Sequence, residues 1–440
     1  MSDATDNFME TDLLNQKGKT RWTTLDQILL VFLVLVSLGD GVEIYSPGAL
    51  TQYIACDIGI NGSQEGFLAC ALYLTMGIAT IIAGPVSNVI CRRKIVLLSL
   101  YGCVVSTILG AAVGTYTTLI IYRALMGLSV GMNMSVAMVL VSEMVSSVEV
   151  KEVILLISSL GFSVGSIWHP IWGFFILENV GWRRFLLIAS VPIFLLVIFI
   201  LHFLVKSSSN KNRHQPANDG SLNNLLDIEE ANESNLAEAP NFKSRLVKVC
   251  LFCVLNNYQG WGTILLLPAL IKNVNDAHHV GENKNCETVT KGSDFLLLAF
   301  AIGASGAGRI ICKLVRRKFT FRFFYSTLTG LTIVSYVTLM LKKDTMFVVV
   351  ATSFVSKFVF GAVFMEQIFI IFDAKYFGMR MALGCAVVQG LGATTVLFGT
   401  SLVSFTSTDV AIIAGLAASV IQMVVVNTMW EQDSIIRVEK

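Results

Sequence analysis

Long apolar runs alternate with short polar breaks along the whole chain. A helix that crosses the hydrocarbon core of a bilayer needs about 20 mostly apolar residues. Against that length, twelve runs qualify. Six start near Leu25, Gly66, Ile95, Thr118, Val153 and Phe185, and six more near Val247, Ser293, Phe321, Met346, Gly384 and Val410. Between the two sets lies a polar stretch from Lys206 to about Arg245. It mixes Lys211 and Arg213 with Asp227, Glu229, Glu230 and Glu233, and is rich in Asn and Ser. Such a composition buries too little apolar surface to fold alone, so it reads as a disordered linker. The pattern predicts an all-α integral membrane protein of twelve transmembrane helices. Its expected parts are an N-terminal tail (1–24), a six-helix half (25–205), a linker (206–245), a second six-helix half (246–430) and a C-terminal tail (431–440).

Composition narrows the class. Hydrophobic residues make up 54% of the 440 and charged residues 14%. That is too apolar for an ordinary soluble domain. The net charge of +2 carries no footprint for nucleic acid. The expected partners are membrane lipid and a small-molecule substrate, bound by a monomer. The segment Met1–Thr24 is hydrophilic and lacks the apolar core of a cleavable leader.

Charge distribution orients the chain. Most of the 32 Lys and Arg residues fall in loops on the side of the N-terminus, and within spans only Arg123, Arg309 and Lys357 occur. The positive-inside rule then places both termini and the linker in the cytosol. The expected location is a plasma membrane or an intracellular vesicle membrane. In that topology the sequon Asn61-Gly-Ser faces outward, close to the next span, while Asn232-Glu-Ser is hidden in the cytosol. Seven cysteines (Cys70, Cys91, Cys103, Cys250, Cys253, Cys312 and Cys385) lie in or beside apolar runs, where a thiol behaves as a small hydrophobe. Cys250-x-x-Cys253 has apolar flanks and no second half-site, so no metal site is expected. Cys56 and Cys286 are placed in outer loops, and a disulfide between them stays open. No nucleotide-binding loop is present, so ATP-driven pumping is not expected; the expected protein is not an enzyme and takes no cofactor.

The two halves echo each other. "GPVSNVICRRK" (Gly84–Lys94) ends the second span, and "GRIICKLVRRK" (Gly308–Lys318) ends the eighth. Arg123-Ala-Leu-Met-Gly127 in the fourth span matches Lys357-Phe-Val-Phe-Gly361 in the tenth, and Glu143 at the end of the fourth matches Asp373 in the tenth. Three echoes in one order argue for two homologous halves. Paired halves of a transporter hold substrate near the bilayer midplane and rock about it.

These strings resemble the signatures of the major facilitator superfamily, Gly-x-x-x-Asp-x-x-Gly-Arg-Arg/Lys in the loop and Arg-x-x-x-Gly-x-x-x-Gly in the fourth span. The second is matched by Arg123, Gly127 and Gly131. Within the superfamily, "GDGVEIY" (Gly39–Tyr45), Tyr73-Leu74, Met76, "SEM" (Ser142–Met144) and "GWR" (Gly181–Arg183) are similar to the synaptic vesicle glycoprotein 2 family and its shorter relatives. The resemblance implies the major facilitator fold, with spans one and four lining a central cavity. It also implies that Gly84, Asn88, Arg92, Arg93, Gly308, Arg316 and Arg317 belong to the loops that govern conformational change. Departures are plain. The loop aspartate is Asn88, the loop glycine is Cys91, and only about twenty residues (Lys272–Gly292) stand in place of a large lumenal domain. Asn88 carries no charge, so a weaker latch on the outward-open state is expected.

Candidate chemistry sits where charge meets the membrane. An ionisable side chain at a helix centre costs about 2.5–3.5 kcal/mol on insertion scales. Asp40 and Glu43, three apart in the first span, share a helical face. The expectation is that one of them pairs with Arg123, while the other holds a proton near neutral pH because like charges oppose a second ionisation. Coupling to a proton or cation is one reading of the cluster; a static ion pair that fixes helix packing is the other. His169 precedes Pro170 and reads either as a titrating group or as a neutral imidazole bonded to a carbonyl freed by the proline. Trp172 resembles a binding-site tryptophan of the family. Asn256, Asn257 and Tyr258, in "NNYQGWG", gather polar groups inside the seventh span, with Glu366 and Gln367 expected across the cavity. The glycine- and alanine-rich run Gly303–Gly308 is expected to serve close packing, and Arg309 to snorkel toward the cytosolic surface.

Together these features predict a secondary active transporter of a small organic solute, organic cation or sugar-like, working by alternating access. Proton coupling through Asp40 and Glu43 with Arg123 goes with that reading. The alternative is a non-transporting vesicle membrane protein that acts as a regulator or binding partner.

Overall fold

The computed structural model describes residues 22–60, 62–145, 148–211, 292–315, 321–342, 345–371 and 408–429, with isolated positions between 251 and 270. Every regular element among the described residues is helical. The first half contains α1 (Thr24–Ile58), α2 (Gly62–Val89), α3 (Arg92–Ala111), α4 (Tyr116–Met144), α5 (Val148–Trp172) and α6 (Trp182–Lys211). The second half contributes α7 (Gly292–Val315), α8 (Phe321–Leu341), α9 (Met346–Ile371) and α10 (Thr408–Met429). These are the eighth, ninth, tenth and twelfth predicted spans. The seventh lies largely, and the eleventh wholly, outside the described residues. Six of the ten helices hold apolar stretches of 19 to 26 residues, long enough to cross a membrane.

Helices start at or a few residues before the apolar runs, because their caps lie in polar surroundings. Thr23 caps α1: its hydroxyl receives the Asp26 N–H, and the Asp26 carboxylate receives the Thr23 N–H at 3.0 Å. This reciprocal box satisfies two amides that a helix start leaves open. Thr115 and Thr118 do the same for α4. Gly59 (φ 74°) closes α1 in the left-handed region, where both its own N–H and that of Ile60 donate to the Ala55 carbonyl. After Pro170, α5 loosens into a π-helical turn (Gly173–Leu177) and a single turn to Val180; Gly181 (φ 76°) then redirects the chain into α6. Proline removes a ladder hydrogen bond, and a wider turn is one way a helix absorbs the loss.

Close helix pairs are built on glycine. A Cβ on Gly127 or Gly131 of α4 would strike the carbonyls of Leu72 or Met76 on α2. In the second half, a Cβ on Gly361 of α9 would strike the Ser305 carbonyl on α7, and one on Gly308 the Phe358 carbonyl. The same contact therefore recurs in both halves at corresponding positions. Gly41, Gly161 and Gly165 allow a similar approach of α1 to α5. In a bilayer such small-residue contacts drive association, because lipid already solvates the apolar side chains. The outer faces are apolar, with Ile81, Leu98, Phe199 and Phe347 exposed. That arrangement suits lipid. It is a multi-pass membrane protein's surface rather than that of a soluble bundle.

Candidate functional site

The first cluster forms where α1 meets α3, α4 and α6. Asp40 and Glu43 are fully buried, on the face that α1 turns inward. Asn133 of α4 donates from Nδ2 to Asp40 Oδ1 at 2.9 Å. Thr107 of α3 donates to Glu43 Oε1 at 3.2 Å, and Ser190 of α6 lies beside the same carboxylate. Arg123 is also fully buried. Its Nη1 donates to Ser46 at 2.8 Å, and the Ser46 hydroxyl donates to the Glu43 backbone carbonyl at 2.9 Å. The expected direct pairing of Arg123 with a carboxylate is thus replaced by a link through Ser46. Asp40 Oδ2, Glu43 Oε2 and the Nε and Nη2 of Arg123 have no hydrogen-bond partner among the described residues. Each charged group is half satisfied and keeps a free edge.

Asn133, Ser46, Thr107 and Ser190 escaped sequence reasoning. Each is a small uncharged polar residue with no signature of its own, and its role follows only from what lies opposite. Asn133 was the most findable, as an amide two turns beyond Gly127 on the helix that carries Arg123.

His169 is fully buried, edge-on to Phe185 at 5.3 Å and against the backbone of Val42 on α1. Its ring thus faces α1, toward the first cluster. Trp168 donates from Nε1 to the Ala189 carbonyl at 3.1 Å and packs on Trp172, which is 42% exposed. Asn256 is fully buried, with neither amide atom bonded to a described residue. Asn257 and Tyr258, the side chains of Glu366, Gln367 and Asn88, and Arg316 and Arg317 lie outside the described residues.

A second cluster involves the other two membrane cations. Arg309 does not snorkel. It is fully buried, donates to the Ser159 carbonyl of α5, and lies 5.6 Å from the centroid of Phe162. Its position past mid-helix suggested the surface, but α7 turns that face toward α5, and the guanidinium stays at the seam between halves. Lys357 is 1% exposed, with Nζ 5.1 Å from the Tyr45 centroid. Gly306 packs on Ser163, so the small-residue run of α7 does serve close approach.

The loop residues divide. Gly84 lies within α2 and Gly308 within α7, so neither is in a turn, and Gly308 is a packing residue. Arg92 and Arg93 occupy the first turn of α3, and Arg93 reaches the Met144 sulfur at 4.0 Å. Near the opposite ends of the helices, Arg183 pairs with Asp57 at 2.5 Å and donates to the Val113 carbonyl at 3.0 Å, while Trp182 donates to the same carboxylate at 3.1 Å. The "GWR" string therefore ties α6 to the end of α1. Next to Asp57, Cys56 is disulfide-bonded, whereas Cys70, Cys91 and Cys103 are free thiols.

Comparison with known proteins agrees with this architecture. A family model described as Major Facilitator Superfamily matches residues 30–383. The putative transporter svop-1 of Caenorhabditis elegans is 22% identical over 72% of this chain and 66% of its own length. The glucose transporter GlcP of Staphylococcus epidermidis is 24% identical over 55% of this chain and 58% of its own. The synaptic vesicle 2-related protein of Rattus norvegicus is 24% identical over 46% of this chain and 36% of its own. The matches thus span under two-thirds of each relative. Among solved structures, a D-xylose–proton symporter superposes with a TM-score of 0.68 at 12% identity, covering 92% of this chain and 97% of that one. That likeness is one of fold.

Proposed function

The chain belongs to the major facilitator superfamily, and on that premise we propose that it is a secondary active transporter. It moves a small organic solute by alternating access, as a monomer with both termini in the cytosol, and couples movement to protons through Asp40 and Glu43. The observation that carries this reading is the pair of fully buried carboxylates, one of them beside the buried Arg123, each with one oxygen bonded and the other without a described partner. Two carboxylates and one guanidinium are neutral when they hold one proton and carry one negative charge without it. Burying an uncompensated charge costs about 2.5–3.5 kcal/mol, and a preference of about 1.4 kcal/mol already shifts a two-state equilibrium tenfold. Protonation therefore selects between arrangements of the halves, which is what coupling requires. Coupling also fits an arginine held by Ser46: its charge acts on Glu43 without being consumed by that carboxylate.

The test is uptake into proteoliposomes with and without an imposed pH gradient, across sugars, organic cations and organic anions. Asp40→Asn removes the charge and keeps the shape. It should abolish gradient-driven accumulation while leaving solute exchange at equilibrium. Undiminished accumulation by this variant would end the coupling reading.

A second reading, a non-transporting vesicle membrane protein, is favoured by Asn88 in place of the loop aspartate and by the likeness to the synaptic vesicle 2-related protein. No uptake of any solute in the same panel would favour it.

A further inference from the structure

The two carboxylates of the first cluster keep different company. Glu43 feels the charge of Arg123, accepts the Thr107 hydroxyl at 3.2 Å and lies beside Ser190. A positive charge and hydroxyl donors favour an ionised carboxylate. Asp40 faces a neutral amide instead. Asn133 donates from Nδ2 to Asp40 Oδ1 at 2.9 Å, and the Glu43 carboxylate is near enough to act on Asp40. Like charges this close oppose each other's ionisation.

Two atoms of the Asp40–Asn133 pair are left over. Asp40 Oδ2 and Asn133 Oδ1 are both buried, and neither has a hydrogen-bond partner among the described residues. While Asp40 is ionised both are acceptors, so neither can serve the other. One proton changes that. A protonated carboxyl gains an O–H donor, and a primary amide presents a donor and an acceptor side by side. Acid and amide then close a ring of two hydrogen bonds. Asn133 Nδ2 donates to Asp40 Oδ1, and Asp40 Oδ2 donates to Asn133 Oδ1. A single proton thus satisfies two atoms that are costly to bury alone. It also adds a second bond between α1, which carries Asp40, and α4, which carries Asn133.

Building on the transporter reading, we propose that Asn133 is a positioning residue of the coupling site: it holds the coupled proton on Asp40, while Glu43 stays ionised beside Arg123. The proton comes from water, forms the Oδ2–H bond and returns to water on release; no other covalent bond is made or broken. With the proton bound, Glu43 and Arg123 cancel and Asp40 is neutral. The other titratable or charged groups around this pair of carboxyls are Cys103 on α3, Tyr122 on α4 and His169 on α5, with Tyr73 of α2 donating to the Ile44 carbonyl. None of these is a carboxylic acid, so a vibration of the acid group separates Asp40 and Glu43 from all of them.

The experiment is infrared difference spectroscopy of the full chain in lipid, between acidic and alkaline pH. The unmodified chain should show the C=O stretch of a hydrogen-bonded carboxylic acid. Asp40→Asn should remove that band and Glu43→Gln should keep it. Asn133→Leu keeps the volume and removes both partners, so the band should move to higher frequency, as for an acid without hydrogen bonds. Its pH midpoint should also move by about one unit, a tenfold change in proton affinity. Asn133→Gln keeps the amide and should hold the band near its original frequency, which separates a lost partner from a lost fold. A band lost in Glu43→Gln and kept in Asp40→Asn would put the proton on the other carboxyl and overturn the proposal. A band of unchanged frequency and midpoint in Asn133→Leu would overturn the role of Asn133. Uptake driven by a pH gradient in a chain with no Asp40 band would also overturn it while leaving the transporter reading intact. The expected bands without uptake of any solute would uphold the proton site and end the transporter reading.

Discussion

Replacing Gly127 by alanine tests the helix packing that holds the first cluster together. A Cβ at that position overlaps the Leu72 carbonyl oxygen and the Thr75 hydroxyl, and reaches the Leu72 carbonyl carbon at 3.1 Å. These are mainly backbone atoms, so no rotamer change relieves the clash, and α4 must move away from α2 by roughly 1 Å. A radial gap of about 0.5–1 Å forfeits a quarter to a half of each dispersion contact. The buried side chains along this seam include Leu72, Tyr73, Met76, Met126 and Val130. Overpacking of this kind costs about 1–3 kcal/mol. Alanine also gains up to ~1 kcal/mol of helix propensity over glycine, so the net loss is about 0–2 kcal/mol. Gly330, inside α8, is the control: a Cβ there meets nothing within 4 Å. The same substitution at Gly330 should stabilise by about 0.5–1 kcal/mol. Thermal unfolding in detergent, followed by tryptophan fluorescence, should show Gly127→Ala below and Gly330→Ala above the unmodified chain. At ~2–4 °C per kcal/mol for a domain the size of one half, the two variants should differ by several degrees. Equal midpoints would refute the close approach of α2 and α4. Gly361→Ala should repeat the Gly127 result, since it meets the Ser305 carbonyl in the same way.

Further outcomes are expected elsewhere. Asn133→Ala removes the hydrogen bond that Asn133 donates to buried Asp40, at a cost of about 1–3 kcal/mol for an unsatisfied buried group; equilibrium unfolding should detect it, and Asn133→Asp should fare worse than alanine by adding a like charge. Asp57→Asn breaks the tie between α1 and α6, but both partners are about 40% exposed, so the loss should stay below about 1 kcal/mol and shrink further in high salt. Cys91 is exposed in the turn between α2 and α3, while Cys70 and Cys103 are buried. A membrane-impermeant maleimide should therefore label Cys91 only from the cytosolic side, and labelling from outside would reverse the orientation. Asn88→Asp restores the charge usual in that turn and should shift accessibility labelling toward the outward-open state; an unchanged pattern would dismiss the latch.

What the sequence determined by itself was set by short-range, one-dimensional physics. A bilayer demands long apolar helices, so the starts of the described spans and the membrane class were readable from hydropathy alone. The repeat was readable because glycines that permit close contact cannot drift, as Gly127 and Gly361 illustrate. The carboxylates Asp40 and Glu43 stood out because charge in a membrane is costly. Tertiary structure decided how those charges are used. Hydropathy says that Arg123 and Arg309 are expensive, but not which way each faces. Arg123 reaches α1 through Ser46 rather than by a carboxylate, and Arg309 stays buried against Ser159 and Phe162 rather than rising to the surface. Asn133, Ser46 and Thr107 acquire meaning only from the carboxylates and carbonyls opposite them. The partner of a polar group inside a membrane lies on another helix, tens of residues away in sequence, and only the packing of helices brings the two together.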